Sequence, residues 1–141
     1  MTPHRLNACL VLALAACTAG AARAGDLFFT VEGVKNAEGR LMLALYDSAE
    51  GFLRRSVKAC EAQAANGSTT VLVKDLPAGS YGFAVFHDAN GNGKMDSNVM
   101  GIPVEDHAFS NNARGTMGPP TFEQVKFSLP AAGATARISL R

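Results

Sequence analysis

Short runs of alternating apolar and polar residues, separated by turn residues, make up most of the chain after its first two dozen positions. In each run the apolar residues fall at every second position, which places them on one face of a β-strand. No long stretch keeps the spacing of an amphipathic helix. The runs predict about seven strands, over residues 27–32, 41–46, 57–63, 69–74, 80–87, 124–129 and 135–140. Strands of this length and spacing are typical of an all-β sandwich, and we expect one such domain.

Local patterns add detail to this prediction. Residues 41–46 are apolar on both faces, as expected for a strand in the middle of a sheet. Asn66-Gly67 suits a type I′ turn and predicts a hairpin. Pro77 and Gly79 predict a turn before the clearest strand, and Phe52 is expected to pack onto the core.

The first 24 residues have a different pattern. They contain no acidic residue, begin with the basic pair His4-Arg5, carry an apolar run over residues 8–16 and end in Ala22-Arg23-Ala24. This order is typical of a secretion signal, and the apolar run is too short to span a bilayer. We therefore predict a signal peptide over residues 1–24 and an exported β-sandwich domain over residues 25–141.

Two modes of processing are compatible with this signal. Cleavage after Ala24 gives a periplasmic or secreted protein that starts at Gly25. The alternative is lipidation, because Leu14-Ala15-Ala16-Cys17 resembles a lipobox and Cys17 would then tether the protein to the outer membrane. Both modes place the domain outside the cytoplasm.

The charge and composition of the chain limit the classes of partner that it can bind. The formal net charge is +1, and loss of Arg5 and Arg23 with the signal changes it to −1. A near-neutral chain with no basic cluster beyond Arg54-Arg55 argues against nucleic-acid binding. No second apolar stretch is long enough to cross a membrane. Cys60 is the one cysteine left after removal of the signal, so we expect no disulfide within the domain. Cys60 is predicted to be a small buried residue; the alternative is a reactive thiol or a metal ligand.

The segment 88–120 contains no periodic run, although it lies between the last predicted strands. A stretch of this length without regular structure is uncommon in a compact domain unless it has a function. Its glycines and prolines suit a flexible crossover, whereas its motifs suit a long ordered loop that binds a ligand, and both interpretations stay open.

The first motif in this segment is typical of a calcium loop. Side chains with oxygen atoms fall at the first, third, fifth and ninth positions of an EF-hand-type loop, and Gly93 falls at the sharp turn. The candidate ligands are Asp88, Asn90, Asn92, Asp96 and the backbone carbonyl of Lys94. The twelfth position is Val99 instead of a bidentate Glu, so any site is expected to be weak. The alternative is a series of Asx turns, in which these side chains bond their own backbone.

Other chemistry has less support. His87, His107 and Cys60 could share a transition metal, but their separation in sequence does not argue that they are close. His87 with nearby acids such as Asp88 or Asp106 allows a small periplasmic hydrolase as an alternative function. Ser110 has no nucleophile motif around it.

A series of short motifs resembles a known bacterial family. The motifs are Leu76-Pro77-Ala78-Gly79-Ser80-Tyr81, His87-Asp88 with the polar residues up to Asp96, Gly101-Ile102-Pro103 with Glu105, Phe109-Ser110-Asn111-Asn112-Ala113, and Gly118-Pro119-Pro120 with Phe122. Together they resemble the family catalogued as domain of unknown function 2141, over nearly all of residues 25–141. The resemblance implies an exported immunoglobulin-like or transthyretin-like sandwich without an assigned activity or catalytic residues. His107 departs from the aromatic-Gly pair expected before the Phe-Ser-Asn run.

The sequence thus favours a non-enzymatic envelope domain whose long loop binds calcium, a small ligand or an envelope partner. A small hydrolase and a purely structural module or lipoprotein are the alternatives.

Overall fold

The computed structural model describes residues 24–141 and contains eight β-strands, a 3-10 turn and one short helix. The strands are β1 (Ala24–Val34), β2 (Arg40–Tyr46), β3 (Lys58–Gln63), β4 (Gly67–Pro77), β5 (Gly79–Asp88), β6 (His107–Phe109), β7 (Phe127–Leu129) and β8 (Ala134–Ser139). The 3-10 turn covers Ser110–Asn112, and the helix α1 covers Phe122–Val125.

The strands form two sheets. In the three-stranded sheet, β1 lies between β4, with which it is antiparallel, and β8, with which it is parallel. The five-stranded sheet has the order β3-β2-β5-β6, and β7 also pairs with β5. The predicted all-β sandwich is confirmed, and β2 is a central strand as its two apolar faces indicated. The closer likeness to an immunoglobulin or transthyretin domain stays a prediction.

The alternating apolar residues of both sheets meet in one core. They include Leu27, Phe29 and Val31 of β1, Leu41, Leu43 and Leu45 of β2, and Phe83 and Val85 of β5. The rings of Phe29 and Phe83 join the two sheets, with centroids 4.0 Å apart. Burial of this apolar area is the main force that stabilises the sandwich.

A second, smaller cluster covers the outer face of the five-stranded sheet. Phe52 packs there against Tyr46 and Phe122, with ring centroids 5.2 and 6.0 Å apart, so its predicted packing is confirmed in this outer cluster. Gly82 makes room for it, since a Cβ at that position would lie 2.6 Å from Cγ2 of Val125.

Ser110 holds the second cluster to the sheet. Its buried hydroxyl donates to the carbonyl of Val125 at 2.5 Å and accepts the N–H of Phe83 at 3.0 Å. Asn111 donates to the carbonyl of Lys126 at 2.9 Å. The Phe-Ser-Asn-Asn motif therefore positions α1 against β5.

The Asn66-Gly67 hairpin is a wrong prediction. These residues join β3 and β4, which belong to different sheets and do not pair. Gly67 has a positive φ of 93°, but Asn66 lacks the positive φ that a type I′ turn requires. The chain also changes sheets between β4 and β5, where the hydroxyl of Tyr81 donates to the carbonyl of Pro77 at 2.7 Å.

The sequence suggested one long loop over residues 88–120, but the segment is divided by regular structure. It folds as a loop over residues 89–106, followed by β6 and the 3-10 turn. Three residues of β6 pair with Ala84, Val85 and Phe86 of β5, which gives the eighth strand in place of the seven expected. A strand this short has no detectable alternation in sequence.

The predicted signal peptide lies outside the described residues apart from Ala24, and so does Cys17. Its processing and the lipid anchor stay predictions. Across residues 24–141, no helix has the length and apolar character needed to cross a membrane.

Candidate functional site

The motif-rich loop begins at one end of the sandwich. Asp88 ends β5 and lies opposite Arg40, the first residue of β2. Ala24, where the described chain begins, pairs with Pro77 at the far end of β4. Because β1 runs the length of the sandwich between these ends, residues 89–106 lie at the pole opposite Ala24.

The turn between β1 and β2 supports the start of this loop. Gly39 has a φ of 61°, and a Cβ there would lie 1.9 Å from the carbonyl oxygen of Asp88. Nε2 of His87 lies 2.7 Å from the carbonyl oxygen of Glu38. The ammonium of Lys35 pairs with Asp106 at 2.8 Å, at the point where the loop returns to the sheet.

The polar loop, residues 88–96, is organised around the carboxylate of Asp88. The Asp88 side chain is fully buried. Its Oδ1 accepts the N–H of Asn92 at 3.1 Å, and its Oδ2 accepts the N–H of Gly93 at 2.9 Å. Gly93 has a φ of 79°, which a residue with a side chain adopts only with strain.

Asp96 closes the polar loop. Nδ2 of Asn90 donates to its Oδ2 at 2.7 Å, and Nδ2 of Asn92 donates to both carboxylate oxygens at 2.9 Å. These amides hold the pKa of the Asp96 carboxyl below its ordinary value, and the nearby Lys94 acts in the same direction. The carboxylate therefore stays ionised at neutral pH.

The side-chain oxygens of the two asparagines turn towards the backbone. Oδ1 of Asn90 accepts the N–H of Asn92 at 3.1 Å, and Oδ1 of Asn92 accepts the N–H of Lys94 at 3.0 Å. These are Asx turns, the alternative that the sequence left open beside calcium. They order the loop through its own hydrogen bonds.

A small hairpin follows the polar loop. Its base is closed where the N–H of Asp96 donates to Oε2 of Glu105 at 3.1 Å and the N–H of Val104 donates to the carbonyl of Asp96 at 2.9 Å. Ser97 and Pro103 form an antiparallel bridge above this base. The Asp96 backbone thus connects the polar loop directly to the hairpin.

The end of the hairpin exposes apolar side chains. We call this group the apolar tip; its members are Val99, Met100, Ile102 and Val104. Sequence reasoning did not identify the apolar tip. The signal that was available is the pair of turn residues Asn98 and Gly101, with apolar residues on both sides of them.

Four of the five predicted calcium ligands belong to one hydrogen-bonded group. The side-chain amides of Asn90 and Asn92 both bond Asp96. Asp88 joins them through the backbone N–H of Asn92. The fifth, Lys94, joins the group through its backbone N–H. Within residues 24–141, no three His, Cys, Asp or Glu side chains are grouped so that they could hold a metal ion. A cation in the polar loop would therefore depend on amide and carbonyl oxygens as well as on carboxylates.

The two histidines are on opposite faces of the five-stranded sheet. His87 follows Phe83 and Val85 on the buried face of β5, whereas His107 pairs with Phe86 and shares the outer face with Phe109. The ring of His107 contacts a backbone carbonyl oxygen, that of Glu105, at 3.0 Å. The two rings therefore do not share a pocket. The hydrolase alternative, based on His87 with nearby acids, stays a prediction.

Cys60 lies on the edge strand β3, opposite Leu43 of β2. Burial raises the pKa of its thiol, and the neighbouring Lys58 opposes this shift only in part. A raised pKa keeps the thiol protonated and poorly nucleophilic at neutral pH. The half-buried, packed position fits the interpretation of Cys60 as a small core residue.

Comparison with known protein families identifies a match over most of the chain. A family model described as "Uncharacterized protein conserved in bacteria (DUF2141)" matches residues 29–137, which include the whole of the polar loop and hairpin. No curated protein and no solved structure matches the chain.

Proposed function

The chain belongs to the DUF2141 family of uncharacterised bacterial proteins, and we propose that it is an exported, non-enzymatic binding domain whose polar loop takes up calcium. The apolar tip is the surface that this domain presents to an envelope partner. The observation that carries the proposal is the convergence of Asp88, Asn90, Asn92 and Asp96 in one hydrogen-bonded group. Calcium binds six to eight oxygens, and alternate side chains of a tight loop supply them from one direction.

The contacts of Asp88 support its proposed role as a calcium ligand. Two backbone N–H groups fix its carboxylate, yet each oxygen keeps a lone pair for an ion. Asn90 and Asn92 need only rotate their amides to exchange Asp96 and backbone contacts for contacts with calcium. Calcium binding therefore breaks these hydrogen bonds. Only the two carboxylates, of Asp88 and Asp96, contribute negative charge, so the affinity is expected to be low. We expect a dissociation constant of about 10⁻⁴–10⁻³ M, as in extracellular calcium modules.

Calcium in this loop would stabilise the hairpin as well. Asp96 is both a ligand and the residue at which the hairpin closes, through its N–H to Glu105 and its carbonyl to Val104. An ion bound by Asp96 therefore fixes the base on which the apolar tip stands. In this proposal the polar loop orders the tip, and the tip makes the contact with the partner.

Thermal unfolding with calcium, with magnesium and with a chelator tests the calcium site. At about ten times the dissociation constant, calcium should stabilise the fold by about 1.4 kcal/mol, which raises the melting temperature by about 5 °C. Asp96→Asn keeps the shape of the side chain but removes its charge, and it should abolish the shift. Asp47→Asn, at an exposed position just after β2, is the control and should leave it intact. Equal melting curves in calcium and chelator would refute the site.

Export has its own test. The basic start, apolar run and Ala22-Arg23-Ala24 support it, and mass spectrometry of the mature N-terminus distinguishes its two forms. A chain that begins at Gly25 indicates cleavage after Ala24, and one that begins at an acylated Cys17 indicates a lipoprotein. An intact N-terminus on protein from the native cell would contradict export.

A further inference from the structure

The apolar tip is unusually exposed for its composition. Val99 and Met100 are 105% and 79% exposed, and Ile102 and Val104 are 53% and 62% exposed. The stretch 97–104 contains no charged side chain. Soluble domains seldom present contiguous apolar residues in this way unless another phase or molecule covers them.

Most backbone N–H groups of the tip already have hydrogen-bond partners inside the protein, so they do not need water. Asn98 is responsible, because its Oδ1 accepts the N–H of Met100 at 2.9 Å and that of Ile102 at 3.1 Å, and its carbonyl accepts the N–H of Gly101 at 2.9 Å. The N–H of Asn98 itself donates to the carbonyl of Ile102. With the Val104–Asp96 bond, five of the six backbone N–H groups in residues 98–104 are satisfied inside the protein.

We propose that the apolar tip inserts into the surface of a lipid bilayer. A protein partner offers its own acceptors to an exposed backbone, whereas hydrocarbon offers none, so internal satisfaction of the N–H groups matters most in lipid. Burial of side chains such as Val99 and Met100 in hydrocarbon supplies the driving force for insertion. The tip is also accessible, since each of its four apolar side chains is more than half exposed within the described residues.

The charges at the base of the tip determine which lipids it prefers. Asp96 and Glu105 lie beside it, and Lys94 is the cation of the polar loop. In the absence of calcium this base is acidic and is repelled by anionic headgroups. Calcium in the polar loop would offset the repulsion. The inference names the partner of the binding domain proposed above and rests on that proposal for the calcium effect alone.

A single tryptophan reports insertion directly, because the chain contains no Trp. Met100→Trp is introduced in the full chain and mixed with vesicles of phosphatidylethanolamine and phosphatidylglycerol. Its emission should move to shorter wavelength, and brominated acyl chains should quench it. Met117→Trp is the matched control, since Met117 is 104% exposed but lies outside the hairpin. Its emission should not change, even if residues 1–23 bring the protein to the vesicle.

Serine variants measure the contribution of the tip. Val99→Ser with Met100→Ser should weaken vesicle binding by about tenfold or more, because two apolar side chains no longer leave water. Met117→Ser should bind as the wild type does. All three side chains are exposed, so equal melting temperatures are expected.

The outcomes separate this inference from the calcium proposal. An unchanged Met100→Trp emission in every vesicle overturns the inference, even if calcium still raises the melting temperature. An emission shift that depends on protein concentration without lipid would show that the tip binds a second copy of this chain. A shift seen only with another protein would show that the tip binds that protein. Either result overturns the proposal of bilayer insertion. A lipid-dependent shift that persists in chelator supports insertion even if the calcium site fails.

Discussion

The carboxylate of Asp88, fully shielded from solvent, accepts the backbone N–H of Gly93 at 2.9 Å. This bond, together with that from the N–H of Asn92, folds the polar loop back over the end of β5. A hydrogen bond to a charged group is stronger than a neutral one. Asp88 therefore anchors the polar loop to the end of β5.

Asp88→Ala should lower the free energy of unfolding by about 2 kcal/mol, because two N–H groups lose a charged acceptor. Chemical denaturation measures this difference. Asp47→Ala removes an exposed carboxylate and should change stability by less than about 0.5 kcal/mol. If both variants are equally stable, Asp88 does not order the loop as we describe.

Ser110→Ala should destabilise the fold by about 2–4 kcal/mol. The change leaves the N–H of Phe83 and the carbonyl of Val125 without their partner in a buried position. Ser80→Ala, on the exposed part of the same β5, is the control for loss of a hydroxyl. A Ser110→Ala protein as stable as the control would show that the bridge contributes nothing.

Gly82→Ala should cost about 1–3 kcal/mol, because its Cβ would lie 2.6 Å from Cγ2 of Val125 and push α1 away from the sheet. Gly79→Ala is the matched control, since the nearest atom there, in Tyr81, is 3.9 Å away. Val125→Ala should recover part of the loss in the Gly82→Ala background. Strict additivity of the two changes would contradict a steric cause.

The pKa of Asp96 predicts how its contribution to stability depends on pH. The amides of Asn90 and Asn92 lower this pKa in the folded state, so the stabilisation is present above the ordinary value of 3.8 and is lost as pH falls through the lower, folded value. The difference in melting temperature between the wild type and Asp96→Asn should stay constant from neutral pH down to about 4 and shrink below it. A difference that shrinks well above the ordinary value would indicate another titrating group.

Much of the fold follows from the sequence because strand alternation directly records which face is buried. Leu27, Phe29 and Val31 all face the core as their spacing predicts. The hairpin at Asn66-Gly67 was wrong for a physical reason, since turn preference is local and does not determine whether the flanking strands pair. In this chain the turn connects β3 of one sheet to β4 of the other.

The candidate site was only half predictable. Oxygen-bearing side chains at alternate positions predicted that residues 88–96 form a compact loop, and their hydrogen bonds bring them together. The exposure of Val99 and Met100 was not predictable, because apolar residues are normally buried and only the tertiary structure leaves these two in solvent. The bridging role of Ser110 was equally hidden, since its two partners lie on β5 and α1.

We propose that the polar loop exchanges its internal amide–carboxylate hydrogen bonds for a calcium ion. The most direct measurement is an NMR titration of isotope-labelled protein with calcium, observed at the side-chain amides of Asn90 and Asn92. We expect large, saturable shifts of these amides and of the Gly93 backbone N–H, with no such shifts in Asp96→Asn or with magnesium. Amide signals that stay unchanged at saturating calcium would contradict it.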